Sequence, residues 1–339
     1  PEPYLKLKKA LGIIDNDKVL EALGIEFRHT GIGLKGGYEI KGAPVGEEGY
    51  LLGKEGGYAT GSSEGKVLRR SIFGYVTTWS LDHSYTYSFL NYPLKHMSID
   101  DYRWPEIDEN SFKYAEAARR KYEDYCLMGG VVQAFETAWK LTGFTELMRL
   151  MHTDEASVNN ILDGLFKITM GQAKLLLDAG VDIVYNGDDV GTQTGMMISP
   201  KLWRKYLKPK YAELARLIHA KGAHFFFHSD GWIEAIIPDL IEIGVDILNP
   251  IQPECMDAAN IKRLYGNKLC FDGAISIQRT LPFGSREDVR REVKERIETM
   301  GPTGYILAPS HDMQPEVPVE NILEFYEAAN EYRKIGSDS

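Results

Sequence analysis

From about residue 110 onward, short apolar runs alternate with helical stripes, and nearly every apolar run ends in polar, titratable residues. This alternation limits the possible folds more than any other feature. Val158, Ile161, Leu162 and Leu165 lie on one face of a helix, and the apolar run Val181 to Tyr185 follows Gly180, placed where a C′ glycine belongs. Tyr211, Leu214 and Ile218 form a second stripe that ends at Gly222, before the run Ala223 to Phe227. Ile236, Ile237, Leu240 and Ile241 repeat the scheme, with Gly244 ahead of Val245 to Leu248. Leu269 to Phe271 and Tyr305 to Leu307 are two further strands, and between them Ser285 can cap a helix striped by Val289, Val293 and Ile297.

Strands separated by helices imply a parallel sheet with right-handed crossovers, and continuous apolar strands imply burial on both faces. A (β/α)8 barrel satisfies both. A doubly wound sheet is the competitor, although no strand here runs into the G-x-G-x-x-G turn of its dinucleotide-binding version. The first hundred residues read differently. Gly31 to Ser71 is glycine-rich, with short β-favouring runs at Tyr50-Leu51-Leu52 and Val67-Leu68 that suggest hairpins. An aromatic segment runs from Trp79 to Tyr92, and Trp104-Pro105 reads as a loop start. The expectation is one α/β barrel domain over 1–339, in which about 1–105 is an irregular, hairpin-containing N-terminal extension covering the pocket.

Composition narrows the function classes. A formal net charge of −10 offers no basic surface for nucleic acid. Three scattered cysteines fit a reducing compartment and neither a disulfide framework nor a Cys-x-x-Cys zinc knuckle. No stretch of about 18 apolar residues exists, and Pro1 to Lys9 does not read as a signal peptide. A cytoplasmic protein with no membrane partner is expected.

In a barrel, residues just past the C-terminal strand ends line the active site. That rule selects Asn186, Asp188, Asp189 and Gln193 after the first run, His228-Ser229-Asp230-Gly231 after the second, Asn249 and Gln252 after the third, Asp272 after the fourth, and Ser310-His311-Asp312 after the last. His228 and Asp230, two apart in extended chain, can face the same way, and with His311 they make a set of two imidazoles and one carboxylate. Such a set suits zinc or another divalent metal with open positions; acid/base or substrate-binding work without metal is the alternative. Asp188 and Asp189 can split their pKa values and leave one carboxyl protonated as an acid, or serve as a helix N-cap beside a solvated carboxylate. Glu136, among Phe135 and Trp139 and shortly after a strand candidate at Val131-Val132, is either an active-site acid or a first-turn helix glutamate. Cys255 reads as a small buried apolar residue rather than a thiolate ligand. Asn186, Gln193, Asn249, Gln252 and Asp272 are the candidate substrate-binding residues.

The order of Gly187-Asp188-Asp189, Ile198-Ser199-Pro200, His228-Ser229-Asp230-Gly231, Gly244 to Pro250 and Pro315 to Ile322 resembles the uroporphyrinogen decarboxylase superfamily over residues 182–335. The resemblance implies a (β/α)8 barrel and one of two chemistries. Decarboxylases of that superfamily carry an early arginine-rich segment for a polycarboxylate tetrapyrrole, whereas the first fifty residues here hold only Arg28. The other branch comprises corrinoid-dependent methyltransferases, in which thiol-methylating members hold zinc through a His-x-Cys pair and a later cysteine. Here the corresponding positions are His228, Asp230 and His311, harder ligands that fit an oxygen substrate. The resemblance therefore implies the methyltransferase component of an O-demethylase. Its methyl donor would be a methyl ether, aromatic in class, and its methyl acceptor cob(I)alamin on a partner corrinoid protein. It makes His228, Asp230 and His311 a metal-site position with altered ligands, zinc being the candidate metal; either that metal or a proton from Asp188, Asp189 or Glu136 would stabilise the leaving oxygen, and a homodimer is the expected assembly. Decarboxylation of a carboxylated substrate and non-catalytic corrinoid or substrate binding are the alternatives.

Overall fold

The computed structural model describes residues 2–37, 58–63, 66–80 and 87–337, and these fall into two compact units. The run Tyr50-Leu51-Leu52 and residues 81–86 of the aromatic segment lie outside the described residues.

One unit comprises His29–Asp188 and Lys201–Ala223. Its first part is built from hairpins, as the glycine-rich sequence suggests. Tyr58–Ser63, Lys66–Ser71, Val76–Ser80 and Tyr87–Asn91 form an antiparallel meander, and Leu34–Gly36 pairs antiparallel with Pro105–Ile107. Trp104-Pro105 thus opens a short strand rather than a loop, which proline permits at the first residue of an edge strand because its missing N–H is not needed there. The labelled strands are the parallel ones: β1 (Cys126–Gly130) pairs with β2 (Ile183–Gly187), Met128 opposite Ile183. The strand expected at Val131-Val132 is β1, which ends at Gly130; Val131 is already in the turn that leads to helix α1 (Ala134–Thr142). Helix α2 (Glu155–Asp178) buries Val158, Ile161, Leu162 and Leu165, and α3 (Lys208–Ala220) buries Tyr211, Leu214 and Ile218. Gly180, at φ 86°, closes α2 in the left-handed region that the sequence reading requires.

The other unit comprises Pro1–Arg28, Asp189–Pro200 and His224–Ser339. Strands β3 (His224–His228), β4 (Ile247–Ile251), β5 (Cys270–Ile275) and β6 (Tyr305–Pro309) pair in parallel and in chain order. Helices α4 (Ile237–Ile243), α5 (Arg286–Met300) and α6 (Val319–Ser337) alternate with them. The first residues are not irregular: Glu2–Leu11 and Asn16–Leu23 are helices, and Leu7, Val19 and Leu23 share a core with Val289, Val293, Ile322 and Phe325. Chain start and chain end thus bury apolar surface against each other, a pairing that no local pattern announces.

All the strands from β2 onward run one to four residues beyond the apolar runs that announce them. Asn186, Asn249 and Asp272 consequently lie inside strands rather than after them. Backbone pairing is indifferent to side-chain polarity, so the ladder continues past the last apolar residue; Ser229 N, for example, still donates to Asn249 O at 2.9 Å.

Ser285 caps α5 through a reciprocal box, in which Asp288 N donates to Ser285 Oγ at 3.2 Å and Ser285 N donates to Asp288 Oδ2 at 2.9 Å. Ser285→Ala is expected to lower the unfolding free energy by about 1 kcal/mol, read by urea unfolding.

Candidate active site

His228 is the last residue of β3 and Asp230 stands two residues on, so both face one side while Ser229 faces the other. Ser229 is fully buried, and its Oγ accepts from Val190 N at 3.0 Å. His311, two residues past β6, completes the group. One ligand atom from each of His228, Asp230 and His311 lies within 4.8 Å of the others. His228 Nε2 stands 3.8 Å from Asp230 Oδ1, and His311 Nε2 stands 3.4 Å from Asp230 Oδ2. Asp189 Oδ1 lies 3.6 Å from His228 Nε2 and also accepts from Asp230 N at 2.8 Å, which ties the loop carrying Asp189 to the loop carrying Asp230.

The surroundings hold this arrangement rigidly. Gly231 N donates to the buried Gln252 Oε1 at 3.0 Å. Gly231 has φ 83°, and a Cβ there would stand 2.5 Å from the Thr192 carbonyl oxygen. Gly231→Ala combines left-handed strain with a backbone clash. It is expected to cost at least about 2 kcal/mol of stability and to displace Asp230, read by urea unfolding and by zinc titration. On the far side of His228, Nδ1 lies 2.5 Å from Asn249 Oδ1, and Asn249 Nδ2 donates to Asp272 Oδ1 at 2.5 Å. Burial pushes the Asp272 carboxyl up to about 7, against the opposing pull of Asn249 and of His228. Gln193 Oε1 accepts from Cys255 Sγ at 3.6 Å. The Cys255 thiol is held up by burial, then by Glu254 and Asp230, so it is a protonated neighbour of the set.

The donor set fits a divalent metal on three counts. The ligand atoms converge, their mix of two imidazole nitrogens and one carboxylate oxygen is that of zinc-type sites with open positions, and Asp230 Oδ1 is buried without a hydrogen-bond partner among the described residues. A buried oxygen of a carboxylate left in this way lacks a donor that a cation would replace.

The remaining sequence candidates belong to the other unit. Asp188 is fully buried; it accepts from Phe135 N and Glu136 N at 2.7 Å each and from the Tyr211 hydroxyl. It therefore caps α1, whose own N-cap residue Gln133 makes no side-chain cap bond. Burial, then the Glu136 charge, pushes the Asp188 carboxyl up to about 7, while Tyr211 and the two amides pull it down. Glu136 pairs with Lys140 at 2.5 Å on the same helix face, and burial, which would lower the Lys140 pKa, is outweighed by Glu136, Tyr75 and Tyr87. Trp139 lies beside this pair, packed edge-on against Phe89 and Phe144 with ring centroids 5.4 and 6.3 Å apart. Asn186 is fully buried and donates to Val132 O at 3.2 Å. Sequence reading missed Lys140 and Tyr211. The i,i+4 spacing of Glu136 and Lys140 was the available signal for the first, whereas Tyr211 looked like an ordinary member of an apolar stripe.

The model of the family described as uroporphyrinogen decarboxylase (URO-D) matches residues 89–332, well over half of the chain. Methylcobamide:CoM methyltransferase MtaA of Methanosarcina barkeri is 24% identical over 209 residues, which are 62% of this chain and 59% of that protein. Uroporphyrinogen decarboxylase of Trichodesmium erythraeum is 23% identical over 192 residues, 56% of this chain and 51% of that protein. The chain thus spans little more than half the length of these curated relatives. Among solved structures, a methyltransferase from Methanosarcina mazei is similar with a TM-score of 0.59 and 20% identity over 73% of each chain. This likeness shows the fold to be α/β, a (β/α)8 barrel with a hairpin-containing N-terminal extension. With its motifs, strand order and family match in agreement, the chain belongs to the uroporphyrinogen decarboxylase family.

Proposed function

We propose that the chain is the methyltransferase component of a corrinoid-dependent O-demethylase, which takes the methyl group of an aromatic methyl ether and passes it to cob(I)alamin carried by a partner corrinoid protein. The observation that carries this reading is the thiolate-free set His228, Asp230 and His311, whose ligand atoms converge within 4.8 Å. A thiol substrate calls for a soft site, whereas nitrogen and oxygen ligands leave a metal hard enough to engage an ether oxygen. Similarity to a methylcobamide methyltransferase supports the corrinoid side of the reading.

Transfer breaks the methyl–oxygen bond, leaves its electron pair on the oxygen and forms the new bond with the pair of the cob(I)alamin acceptor. This chain's task is then to bind and orient the ether and to stabilise charge on the leaving oxygen. A metal held by His228, Asp230 and His311 would supply Lewis-acid stabilisation of that oxygen. Of the candidate acids Asp188, Asp189 and Glu136, it is Asp189 that lies beside this set, its Oδ1 3.6 Å from His228 Nε2. Asp188 and Glu136 instead support α1 and its aromatic neighbours.

Decarboxylation is the second reading, favoured by the family description and by the Trichodesmium relative. An anionic tetrapyrrole needs cations, however, and Arg28, the one arginine of the first fifty residues, is 2% exposed and donates to the carbonyls of Ile25 and Phe27. The test is metal analysis of the purified protein combined with methyl transfer from a panel of aryl methyl ethers to free cob(I)alamin, followed by loss of the Co(I) absorbance. Bound zinc and transfer from at least one ether are expected. Transfer from none of them, with carbon dioxide released from a carboxylated substrate, would replace this reading with the second.

A further inference from the structure

We infer that Asp272 and Asn249 are positioning residues that hold His228 as its Nδ1–H tautomer, so that the Nε2 lone pair faces Asp189, Asp230 and His311. The inference rests on the metal reading of the site for its consequence, and on hydrogen-bond geometry for its content. The side-chain amide of Asn249 has two unlike ends. Its Nδ2 can only donate, and it donates to Asp272 Oδ1 at 2.5 Å. Its Oδ1 can only accept, and it lies 2.5 Å from His228 Nδ1, which must therefore carry a proton. A neutral imidazole has one N–H, so Nε2 is left as the bare nitrogen.

That nitrogen stands 3.6 Å from Asp189 Oδ1 and 3.8 Å from Asp230 Oδ1. The relay thus selects the one neutral form of His228 able to coordinate there, and partners of this kind fix ring orientation as well as tautomer.

The backbone behind Asp272 is built to keep it in place. Gly273 has φ 106° and Ala274 has φ 69°, the latter being the non-glycine residue with positive φ among the described residues. Their carbonyls are captured, Gly273 O by the Tyr305 hydroxyl and Ala274 O by Arg296 Nε, at 2.9 Å each. Strain maintained by specific partners next to a buried carboxylate marks a position that the fold over-determines.

The test uses the full-length, metal-free protein with 15N-labelled histidine, and reads the tautomer of His228 from its imidazole nitrogen shifts, assigned by loss of the signal in His228→Gln. Wild type is expected to show Nδ1–H. Asn249→Leu and Asp272→Ala are expected to move His228 toward Nε2–H and to weaken zinc binding by about 10- to 100-fold. Asp272→Asn, whose amide oxygen still accepts from Asn249, is expected to keep the tautomer and most of the affinity, which guards against variants that merely fold poorly. An Nε2–H or doubly protonated His228 in wild type overturns the inference, as does an unchanged tautomer in both disruptive variants. An Nδ1–H His228 in a protein that binds no zinc upholds the relay and overturns the metal reading instead.

Discussion

Replacing His228 with alanine is expected to reduce methyl transfer from an aryl ether to cob(I)alamin by about 10²- to 10⁴-fold, because a metal's stabilisation of a leaving oxygen is worth several kcal/mol and each 1.36 kcal/mol is tenfold in rate. His228 contributes more than one contact. Its Nε2 belongs to the converging set and its Nδ1 engages the Asn249–Asp272 relay, so alanine removes a candidate ligand and the anchor of β3 at once. Asp230→Ala should produce a loss of similar size, since Asp230 stands between His228 and His311. His311 lies on the exposed side of the set, where water can substitute for a missing ligand, and His311→Ala should therefore lose less. The measurement is kcat/KM for the best ether, together with metal content. A chelator should bring wild type down to the level of His228→Ala and leave that variant unchanged. A variant with wild-type rate and wild-type metal content would remove His228 from the site altogether.

The second large effect is on stability. Asp188→Ala is expected to cost about 3–5 kcal/mol, because it leaves three buried donors without an acceptor at about 1–3 kcal/mol each. The loss leaves Phe135 N, Glu136 N and the Tyr211 hydroxyl without their acceptor, and Tyr211 is itself fully buried. The pH dependence gives the effect a signature. The Asp188 carboxyl titrates near 7 in the folded protein, above the ordinary aspartate range, so between pH 4 and 7 the folded state holds a proton that the unfolded chain has released. Its contribution is therefore complete below about pH 4 and is lost as pH rises through about 7. Asp188→Ala should accordingly cost more at pH 5 than at pH 8 in urea unfolding, and Tyr211→Phe should show a smaller loss of about 1–3 kcal/mol. A cost that grows with pH would mean that the carboxylate, rather than the carboxylic acid, is the form the fold stabilises.

These two experiments separate residues that look alike in the sequence. Asp188 and Asp189 are neighbours in a motif, yet Asp188 bonds to Phe135, Glu136 and Tyr211 while Asp189 bonds to Asp230 and approaches His228. Among the described residues, no helix is long and apolar enough to cross a membrane.

Local pattern determined a great deal. The alternation of apolar runs with helical stripes, Gly180 and Gly244 as left-handed C-caps, and Ser285 as an N-cap all follow from steric and hydrogen-bonding preferences within a few residues. The same periodicity marked His228, Asp230 and His311 as strand-end residues, because a polar group at the end of an apolar strand has few other places to go. Tertiary structure alone decided which strand ends meet. Asp188 and Asp189 both lie past the end of β2, and it is their tertiary partners that make Asp188 a helix cap and set Asp189 beside His228. Asn249 meets both His228 and Asp272 because β3, β4 and β5 pair in a particular register, with Asn249 opposite His228 and an irregularity between Leu248 and Ile251. Register is fixed by how whole faces pack across strands, a sum over residues far apart in the chain, and for that reason the relay behind His228 could not be read from its sequence.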